Sequence, residues 1–248
     1  MDEILQQRIN EYVTPHQVLE RLNSIRTVIL VGITAAGKDT IIRDIINESD
    51  EFVRVVTSTT RAPRENSGVL EQHGVDYYFL TEEEAQHKMD AGEYIEVANV
   101  HERVNGSLIA EYERIASMGK VALSDVDYQG AMNFLSFGMD KLQVYFVLPP
   151  SFEAWLARLA KRQGGVLERD QEIITRFRSA QKELAVARDN AHLIPVMNTR
   201  SDETARRIID YTLHGTHPTT DEIAEARTVL DDLARSIDDY ITQLETDS

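Results

Sequence analysis

The chain has 248 residues, an apolar fraction of 42% and a formal net charge of −16. This composition suits a folded protein with a sizeable core, and the acidic charge disfavours nucleic acid as a partner. The absence of cysteine excludes disulfides and cysteine-based zinc sites, and it fits a reducing, cytoplasmic location. No apolar run reaches membrane-spanning length, so we expect neither a membrane span nor a signal peptide.

The first 26 residues are predicted to form one or two short helices appended to the core. Thr14-Pro15-His16-Gln17 has the pattern of a capping box with proline at the first helical position. Val18, Leu19 and Leu22 follow as an apolar stripe. We therefore expect this segment to pack against the rest of the chain.

The next stretch has the pattern of a phosphate-binding loop between a strand and a helix. An apolar run at 28–31 precedes Gly32, and a helical pattern follows Lys38. The glycines let backbone N–H groups face one anion, and the lysine adds a mobile charge for the β- and γ-phosphates. The predicted ATP-phosphate residues are Gly32, Ile33, Thr34, Ala35, Ala36, Gly37, Lys38, Asp39 and Thr40. Asp39 stands where this pattern usually has a serine or threonine ligand for magnesium.

Strands and helices alternate through the rest of the core. Further strands are predicted at 52–56, 75–80, 94–100, 121–126, 142–148 and 193–197. Helices are predicted from Glu82 to near Gly92, at 107–117, after Ser151, around Arg176 and Arg178, and at 201–213. This alternation predicts an α/β fold, with a mostly parallel sheet and helices on both faces. The stretch 57–107 is richer in short strands, so we expect it to form a subdomain.

Beyond Gly215 the sequence predicts an acidic helix. Residues 219–248 include nine acidic and two basic residues. Apolar or small residues recur there at spacings of three and four, at Ile223, Ala226, Leu230, Leu233, Ile237, Tyr240 and Leu244. This seam could dock on the parent domain, which is the interpretation we favour, or it could join two copies in a homodimer.

A series of short motifs follows the loop. They are Ser58-Thr59-Thr60-Arg61 with Arg64, Glu71-x-x-Gly74-x-Asp76-Tyr77, Gly92-Glu93-Tyr94-Ile95-Glu96, Asp125-Val126-Asp127-x-Gln129-Gly130, Pro149-Pro150-Ser151 and Arg176-x-x-x-Ala180-x-x-Glu183-Leu184. Each motif alone is weakly specific, but the ordered set, over about 27–211, resembles the guanylate kinase family. The resemblance implies a P-loop kinase domain at 27–214, with a GMP-binding subdomain at 57–107 and a mobile lid at 158–176. The segments 1–26 and 215–248 would be helical extensions.

The resemblance also implies an activity, the phosphorylation of GMP or dGMP by ATP with Mg²⁺. The implied catalytic residues are Lys38, Arg61, Arg158, Arg162 and Arg176, and Asn198 would lie near the adenine. The implied GMP residues are Thr57, Ser58, Arg61, Arg64, Glu71, Tyr77, Glu96, Asn105, Ser107, Asp125 and Asp127. Within this set, Arg61, Arg64 and Tyr77 would hold the GMP phosphate. Glu96 would accept hydrogen bonds from guanine N1–H and the 2-amino group, which adenine does not offer.

Two departures from the family pattern bear on this activity. Asp39 replaces the usual serine, so it could bind Mg²⁺ through water or weaken ATP binding. Val104-Asn105 replaces tandem tyrosines and removes one phenol donor to the GMP phosphate. Two alternatives remain, a binding module that has lost catalysis and a kinase for another phosphorylated small molecule. The retained Lys38 argues against the first, and the retained Glu96 argues against the second.

Overall fold

The computed structural model describes residues 3–66, 68–100, 102–165 and 171–246. The strands are β1 (Thr27–Val31), β2 (Phe52–Arg54), β3 (Ser58–Thr59), β4 (Glu65–Asn66), β5 (Val69–Leu70), β6 (Tyr78–Phe79), β7 (Tyr94–Val100), β8 (Arg103–Leu108), β9 (Val121–Asp125), β10 (Leu142–Leu148) and β11 (Leu193–Met197). The helices are α1 (Glu3–Glu11), α2 (His16–Asn23), α3 (Lys38–Glu48), α4 (Glu82–Asp90), α5 (Ile109–Ser117), α6 (Tyr128–Ser136), α7 (Phe152–Arg162), α8 (Gln171–Asp189), α9 (Ser201–Leu213) and α10 (Thr220–Thr246).

The central sheet confirms the predicted α/β fold with a parallel sheet. Its five strands lie in the order β11-β10-β1-β9-β2, and β10 pairs in parallel with β11, with Val144 opposite Leu193 and Leu148 opposite Met197. Every residue of β1 is buried. Because successive side chains of a strand point to opposite faces, this burial requires cover on both faces of the sheet.

The chain divides into two compact units. The first contains the described residues of 1–27, 53–122 and 136–142, and the second those of 28–52, 123–135 and 143–248. The first unit has a small mixed sheet of order β6-β3-β8-β7, in which β7 and β8 form an antiparallel hairpin. Its core includes Leu5 and Ile9 of α1, packed with Tyr94, Val104 and Leu108. Helix α1 therefore packs on other elements of the first unit, and Val18 and Leu22 of the predicted apolar stripe on α2 are buried.

The predicted capping box at Thr14 is wrong. Helix α2 begins at His16, Pro15 occupies the N-cap position, and no side chain caps the helix. The Thr14 hydroxyl instead donates to the carbonyl oxygen of Ile95 at 2.6 Å. A tertiary hydrogen bond, in which Thr14 is the donor, thus takes the place of the local capping bond, in which its oxygen would have accepted from a backbone N–H. The capping box at Thr81 is present, with reciprocal hydrogen bonds to Glu84.

Several element boundaries also differ from the prediction. The helix expected at 107–117 begins at Ile109, because Ser107 and Leu108 pair with β7 as the end of β8. The strand expected at 75–80 shortens to β6, since a turn closes there with Gly74 N–H donating to the Tyr77 carbonyl at 2.8 Å. The hairpin of β4 and β5 and the helix α6 were not predicted.

The seam on α10 docks within its own chain. Ala226, Leu230, Leu233 and Ile237 are buried. Tyr240 stacks on Phe177 of α8 with ring centroids 5.0 Å apart. This burial agrees with the docking interpretation that we favour, whereas a homodimer through this seam stays a prediction. The side chain of Leu244 lies outside the described residues. No helix in the described ranges combines the length and the hydropathy needed to span a membrane.

Candidate active site

The loop between β1 and α3 has the backbone of an anion-binding turn. Gly32 and Gly37 have φ values of +145° and +102°, in the region that favours glycine. A Cβ atom at Gly32 would lie 2.4 Å from the Val147 carbonyl oxygen, and one at Gly37 would lie 2.3 Å from Asn198 Nδ2. Both glycines are therefore required by conformation and by close packing. Gly37 is also the N-cap of α3, whose positive end attracts anions.

Lys38 folds back over the loop. Its Nζ donates to the Gly32 carbonyl oxygen at 2.5 Å. Burial lowers the pKa of the Lys38 ammonium, while the nearby carboxylates of Glu183, Asp125 and Asp39 oppose that shift. An ammonium that has lost part of its hydration interacts more strongly with a phosphate than an exposed ammonium does. Lys38 is therefore suited to a polyanionic ligand.

A cavity of about 770 Å³ opens above the loop, large enough for a nucleotide. Several predicted residues line it, namely Gly32, Thr34, Ala35, Gly37, Lys38, Asp39, Thr40, Arg158, Arg162 and Asn198. Ile33 and Ala36 are fully buried, so only their backbone groups can serve a ligand. Asp125 and Asp127, which the resemblance assigned to GMP, also line this cavity.

The predicted arginines take different positions around the loop. Arg158 donates to the carbonyl oxygens of Ala36 at 2.9 Å and Asn198 at 2.7 Å. It therefore braces the loop in this structure. Arg162 lines the cavity, and Arg176 NH1 lies 3.5 Å from the Thr34 hydroxyl. The predicted lid spans 158–176, of which 166–170 lie outside the described residues.

Asn198 joins the end of β11 to the loop. Its Nδ2 donates to the Ala36 carbonyl oxygen at 2.8 Å, and its Oδ1 is buried without a hydrogen-bond partner among the described residues. The Asn198 amide nitrogen thus bonds to the loop, while its amide oxygen is an acceptor without a partner among the described residues.

Glu183 is a cavity residue that the sequence analysis did not select. It lies on α8 and lines the cavity with Lys38. Burial raises the pKa of the Glu183 carboxyl. A 3.0 Å hydrogen bond donated by Ser179 and the charge of Lys38 both act to lower this pKa, but burial is the larger effect. Its place in the motif Arg176-x-x-x-Ala180-x-x-Glu183 was the available signal, because that spacing puts Arg176 and Glu183 on one helix face.

In the first unit, Arg61 is held by Glu71. The guanidinium donates to both carboxylate oxygens, at 2.7 Å and 3.1 Å, and its carbon lies 5.1 Å from the centre of the Tyr77 ring. Glu71 also accepts a hydrogen bond from the Arg64 backbone N–H at 2.8 Å. Glu71 therefore orders the turn that carries both arginines, and the Arg64 side chain is exposed. A bidentate pair of this kind fixes the plane of the guanidinium.

The β7–β8 hairpin brings Glu96 and Ser107 together. The Ser107 hydroxyl donates to Glu96 Oε1 at 3.1 Å, and the two residues are paired across the strands. Thr57 is half-buried just before β3, and its carbonyl oxygen accepts from Tyr78 N–H at 2.9 Å. The Asn105 side chain bonds to the Arg103 carbonyl oxygen at 3.1 Å.

Ser58 does not have the geometry of a direct ligand contact. Its side chain is fully buried, and its hydroxyl lies 3.0 Å from the Gly106 carbonyl oxygen and 3.2 Å from the Tyr94 hydroxyl. A Cβ atom at Gly106 would lie 2.7 Å from the Tyr94 ring, so the ring closes over this glycine. Ser58 therefore ties β3 to β8 and Tyr94.

A buried charge network supports this unit, and the sequence analysis missed it. Glu111 of α5 accepts hydrogen bonds from Arg114 Nε and NH2, both at 2.8 Å, from the Tyr78 hydroxyl at 2.8 Å and from Val56 N–H at 3.1 Å. Burial by itself raises the pKa of the Glu111 carboxyl, but these donors outweigh it, and the net pKa is lowered. The network holds the segment that leads into Thr57.

Glu111→Gln should lower the free energy of unfolding at pH 7 by about 1–2 kcal/mol, because charge-assisted bonds become neutral and one acceptor is lost. The lowered pKa means that the carboxylate stabilises the fold above its unfolded pKa, about 4.3, and that this contribution is lost as the pH falls through the folded value. The difference between wild type and variant should therefore shrink in acid. Denaturant unfolding at pH 7 and at acidic pH measures both effects.

Glu113→Gln on the same helix is the control, since Glu113 forms a solvent-exposed ion pair with Arg21. It should change stability little. Equal stability of wild type and Glu111→Gln at pH 7 would contradict the assignment of the network as a stabilising element.

The loop, the cavity and the parallel sheet define this molecule as a P-loop protein of the α/β class. The sequence model described as guanylate kinase matches residues 24–212. The chain is 34% identical over 171 residues to a guanylate kinase of Corynebacterium diphtheriae, covering 68% of this chain and 85% of the relative. It is 33% identical over 190 residues to the guanylate kinase of Corynebacterium glutamicum, covering 76% and 95%.

A solved structure agrees with these sequence matches. The crystal structure of guanylate kinase from Anaplasma phagocytophilum superimposes with a TM-score of 0.55 at 25% identity, covering 79% of this chain and 89% of that one. The chain belongs to the guanylate kinase family.

Proposed function

We propose that this protein transfers the γ-phosphoryl group of ATP to GMP or dGMP, which yields ADP and GDP or dGDP. The observation that carries the proposal is the intact phosphate loop, with Lys38 half-buried over it in a nucleotide-sized cavity that Arg158 and Arg162 also line. Phosphoryl transfer needs little beyond positioning and charge stabilisation, and these groups supply both.

On the ATP side, the loop N–H groups and Lys38 would hold the phosphates. Arg158, Arg162 and Arg176 would spread the charge of the transferring group. For Arg158 this role requires that its donors exchange the carbonyl oxygens of Ala36 and Asn198 for phosphate oxygens. Asn198 remains a proposed adenine residue, and this role requires that its Oδ1, which is buried without a partner among the described residues, becomes accessible.

On the GMP side, Arg61, Arg64 and Tyr77 would bind the phosphate, with Glu71 orienting Arg61. Glu96, aligned by Ser107, would read the guanine N1–H and 2-amino donors. Thr57, Asn105, Asp125 and Asp127 remain proposed GMP residues. Ser58 would act by supporting β3, since its hydroxyl is bonded internally.

Mg²⁺ fits the oxygen donors of the loop cavity. Asp39, Thr40, Asp125 and Asp127 line it, and these are the ligand types that Mg²⁺ prefers. Among the described residues, no three His, Cys, Asp or Glu side chains are grouped to hold a metal alone. One or two of these oxygens, with water and the ATP phosphates, would therefore hold the ion, which would supply positive charge to offset the charge of the phosphates.

Asp39→Ser should strengthen the binding of metal-free ATP by about fivefold and lower the Mg²⁺ concentration needed for half-maximal rate. Asp39 is exposed in the first turn of α3 and lines the cavity, so its charge lies on the phosphate side of the loop. Calorimetry with ATP in EDTA measures the first effect, and a magnesium titration of the rate measures the second.

Asp39→Asn is the matched control, because it removes the charge without adding a hydroxyl ligand. It should reproduce the gain in metal-free binding but not the lower magnesium requirement. If wild type binds metal-free ATP as tightly as both variants, the Asp39 carboxylate does not repel the phosphates. Its only effect would then be a favourable interaction with the positive N-terminal end of α3.

The deciding experiment is a coupled ADP-release assay with Mg-ATP and each of GMP, dGMP, AMP, CMP and UMP. Turnover with GMP and dGMP alone supports the proposal. A folded protein with no turnover on any of them supports a non-catalytic binding module, and turnover on another monophosphate supports a related kinase. A cytoplasmic location and the lack of a nucleic-acid partner stay predictions from the sequence.

A further inference from the structure

Strand β7 contains a bulge immediately before Glu96. Tyr94 pairs with Leu108 and Glu96 pairs with Ser107, so Ile95 is an extra residue in the register. A bulge leaves local backbone groups without their ladder partner and changes the direction of the following side chain. The direction of the Glu96 carboxylate therefore depends on what holds this bulge.

The N-terminal segment bonds to the bulge at two successive carbonyl groups. The Tyr12 hydroxyl donates to the Tyr94 carbonyl oxygen at 2.7 Å, and the Thr14 hydroxyl donates to the Ile95 carbonyl oxygen at 2.6 Å. Ile95 directly precedes Glu96. Burial raises the pKa of the Tyr12 phenol to about 12, so this group stays protonated as a donor at neutral pH. We call residues 12–15 the N-terminal latch.

Packing keeps the latch in place. The Tyr12 ring meets the Tyr94 ring edge-on, with centroids 6.3 Å apart and planes at 84°. Pro15 approaches Gly92 so closely that a Cβ atom there would lie 2.7 Å from Pro15 Cγ. Since Gly92 has a φ of +65°, both its conformation and its lack of a side chain are needed for this contact.

Tyr94 extends the effect to the Ser58-Thr59-Thr60-Arg61 motif. Its carbonyl oxygen is held by Tyr12, and its hydroxyl lies 3.2 Å from the Ser58 hydroxyl. One residue thus joins the latch to the strand that precedes Arg61. The N-terminal extension is therefore linked to two parts of the proposed GMP site, to Glu96 through Ile95 and to the strand before Arg61 through Tyr94.

We propose that the N-terminal latch positions Glu96, and thereby sets the selectivity for the guanine base. Tyr12 and Thr14 are positioning residues that act through the backbone of β7 and touch no substrate. This inference rests on the proposed function, because it assigns the latch to guanine reading. It also gives the N-terminal extension a role, which the resemblance to the family left unexplained.

The test compares nucleotide binding by wild type and by the double variant Tyr12→Phe, Thr14→Val. The changes remove both hydroxyl donors and nearly preserve side-chain shape. Calorimetry with GMP, with IMP and with Mg-ATP gives three dissociation constants on the full chain. IMP keeps N1–H but lacks the 2-amino group, so a displaced Glu96 should weaken GMP more than IMP.

We expect the dissociation constant for GMP to rise about fivefold to tenfold, the preference for GMP over IMP to fall, and Mg-ATP binding to stay unchanged. Thr14→Ser, which keeps the hydroxyl, should bind GMP like wild type. Arg8→Gln should do so too, because it breaks only the ion pair of α1 with Asp90. The single variant Thr14→Val replaces the double variant if that one does not fold.

A variant that melts earlier but keeps the wild-type GMP to IMP ratio would show that the latch is only structural, and the inference would fail. Equal weakening of GMP and Mg-ATP would also overturn it. If wild type itself does not bind GMP, the proposed function fails, and this outcome is distinct from a failure of the latch alone.

Discussion

Lys38→Ala is expected to reduce kcat for GMP phosphorylation by about a thousandfold while the protein stays folded. Lys38 Nζ lies 2.5 Å from the Gly32 carbonyl oxygen, at the loop where the β- and γ-phosphates would sit. Burial lowers the pKa of Lys38, which means that the charged ammonium is disfavoured by desolvation, and a bound phosphate would offset this penalty. Its removal should therefore leave the melting temperature nearly unchanged. Single-turnover kinetics and a thermal melt measure the two quantities.

Lys161→Ala serves as the control for this experiment. Lys161 is exposed on α7 and is not among the residues that line the cavity. It should retain wild-type kinetics. A Lys38→Ala variant that keeps kcat within about tenfold of wild type would remove Lys38 from the catalytic groups, since a single lost charge donor normally costs more.

Glu96→Gln is expected to lower kcat/KM for GMP by about a hundredfold, with KM for ATP unchanged. A carboxamide cannot accept from both guanine donors, and each charge-assisted bond is worth about 1.5–3 kcal/mol. The Ser107 hydroxyl donates to Glu96 Oε1 at 3.1 Å, so the group is aligned before substrate arrives. Steady-state kinetics with GMP and AMP measure the change in selectivity.

Glu93→Gln is the matched control, because Glu93 is three residues away and forms an ion pair with Lys88 at 2.7 Å. It should leave kcat/KM for GMP unchanged. If Glu96→Gln behaves like this control, guanine is read by another group, or GMP is not the substrate. Together, the Lys38 and Glu96 variants separate loss of phosphoryl transfer from loss of base recognition.

Elements with local sequence signals could be predicted without the structure. The apolar run of β10 and the pattern of α9 were predicted with the boundaries that the structure has, Leu142–Leu148 and Ser201–Leu213. The phosphate loop was also predictable, because glycine and lysine occur in the sequence at a fixed spacing. The two glycines occupy the positions where the structure has positive φ. In these stretches, hydrophobic period and turn chemistry favour the same structure.

Other features depend on partners that are distant in the chain, and these could not be predicted from local patterns. Ser107 and Leu108 form a strand because β7 pairs with them, although their sequence suited the start of a helix. Thr14 bonds to Ile95 because the bulge in β7 leaves a carbonyl oxygen available, so a distant acceptor displaced the local cap. The α10 seam fitted a dimer as well as docking, and the burial of Leu230, Leu233 and Ile237 with the stacking of Tyr240 on Phe177 supports docking. Side-chain periodicity shows that a face is apolar, whereas the chain's own packing decides what covers it.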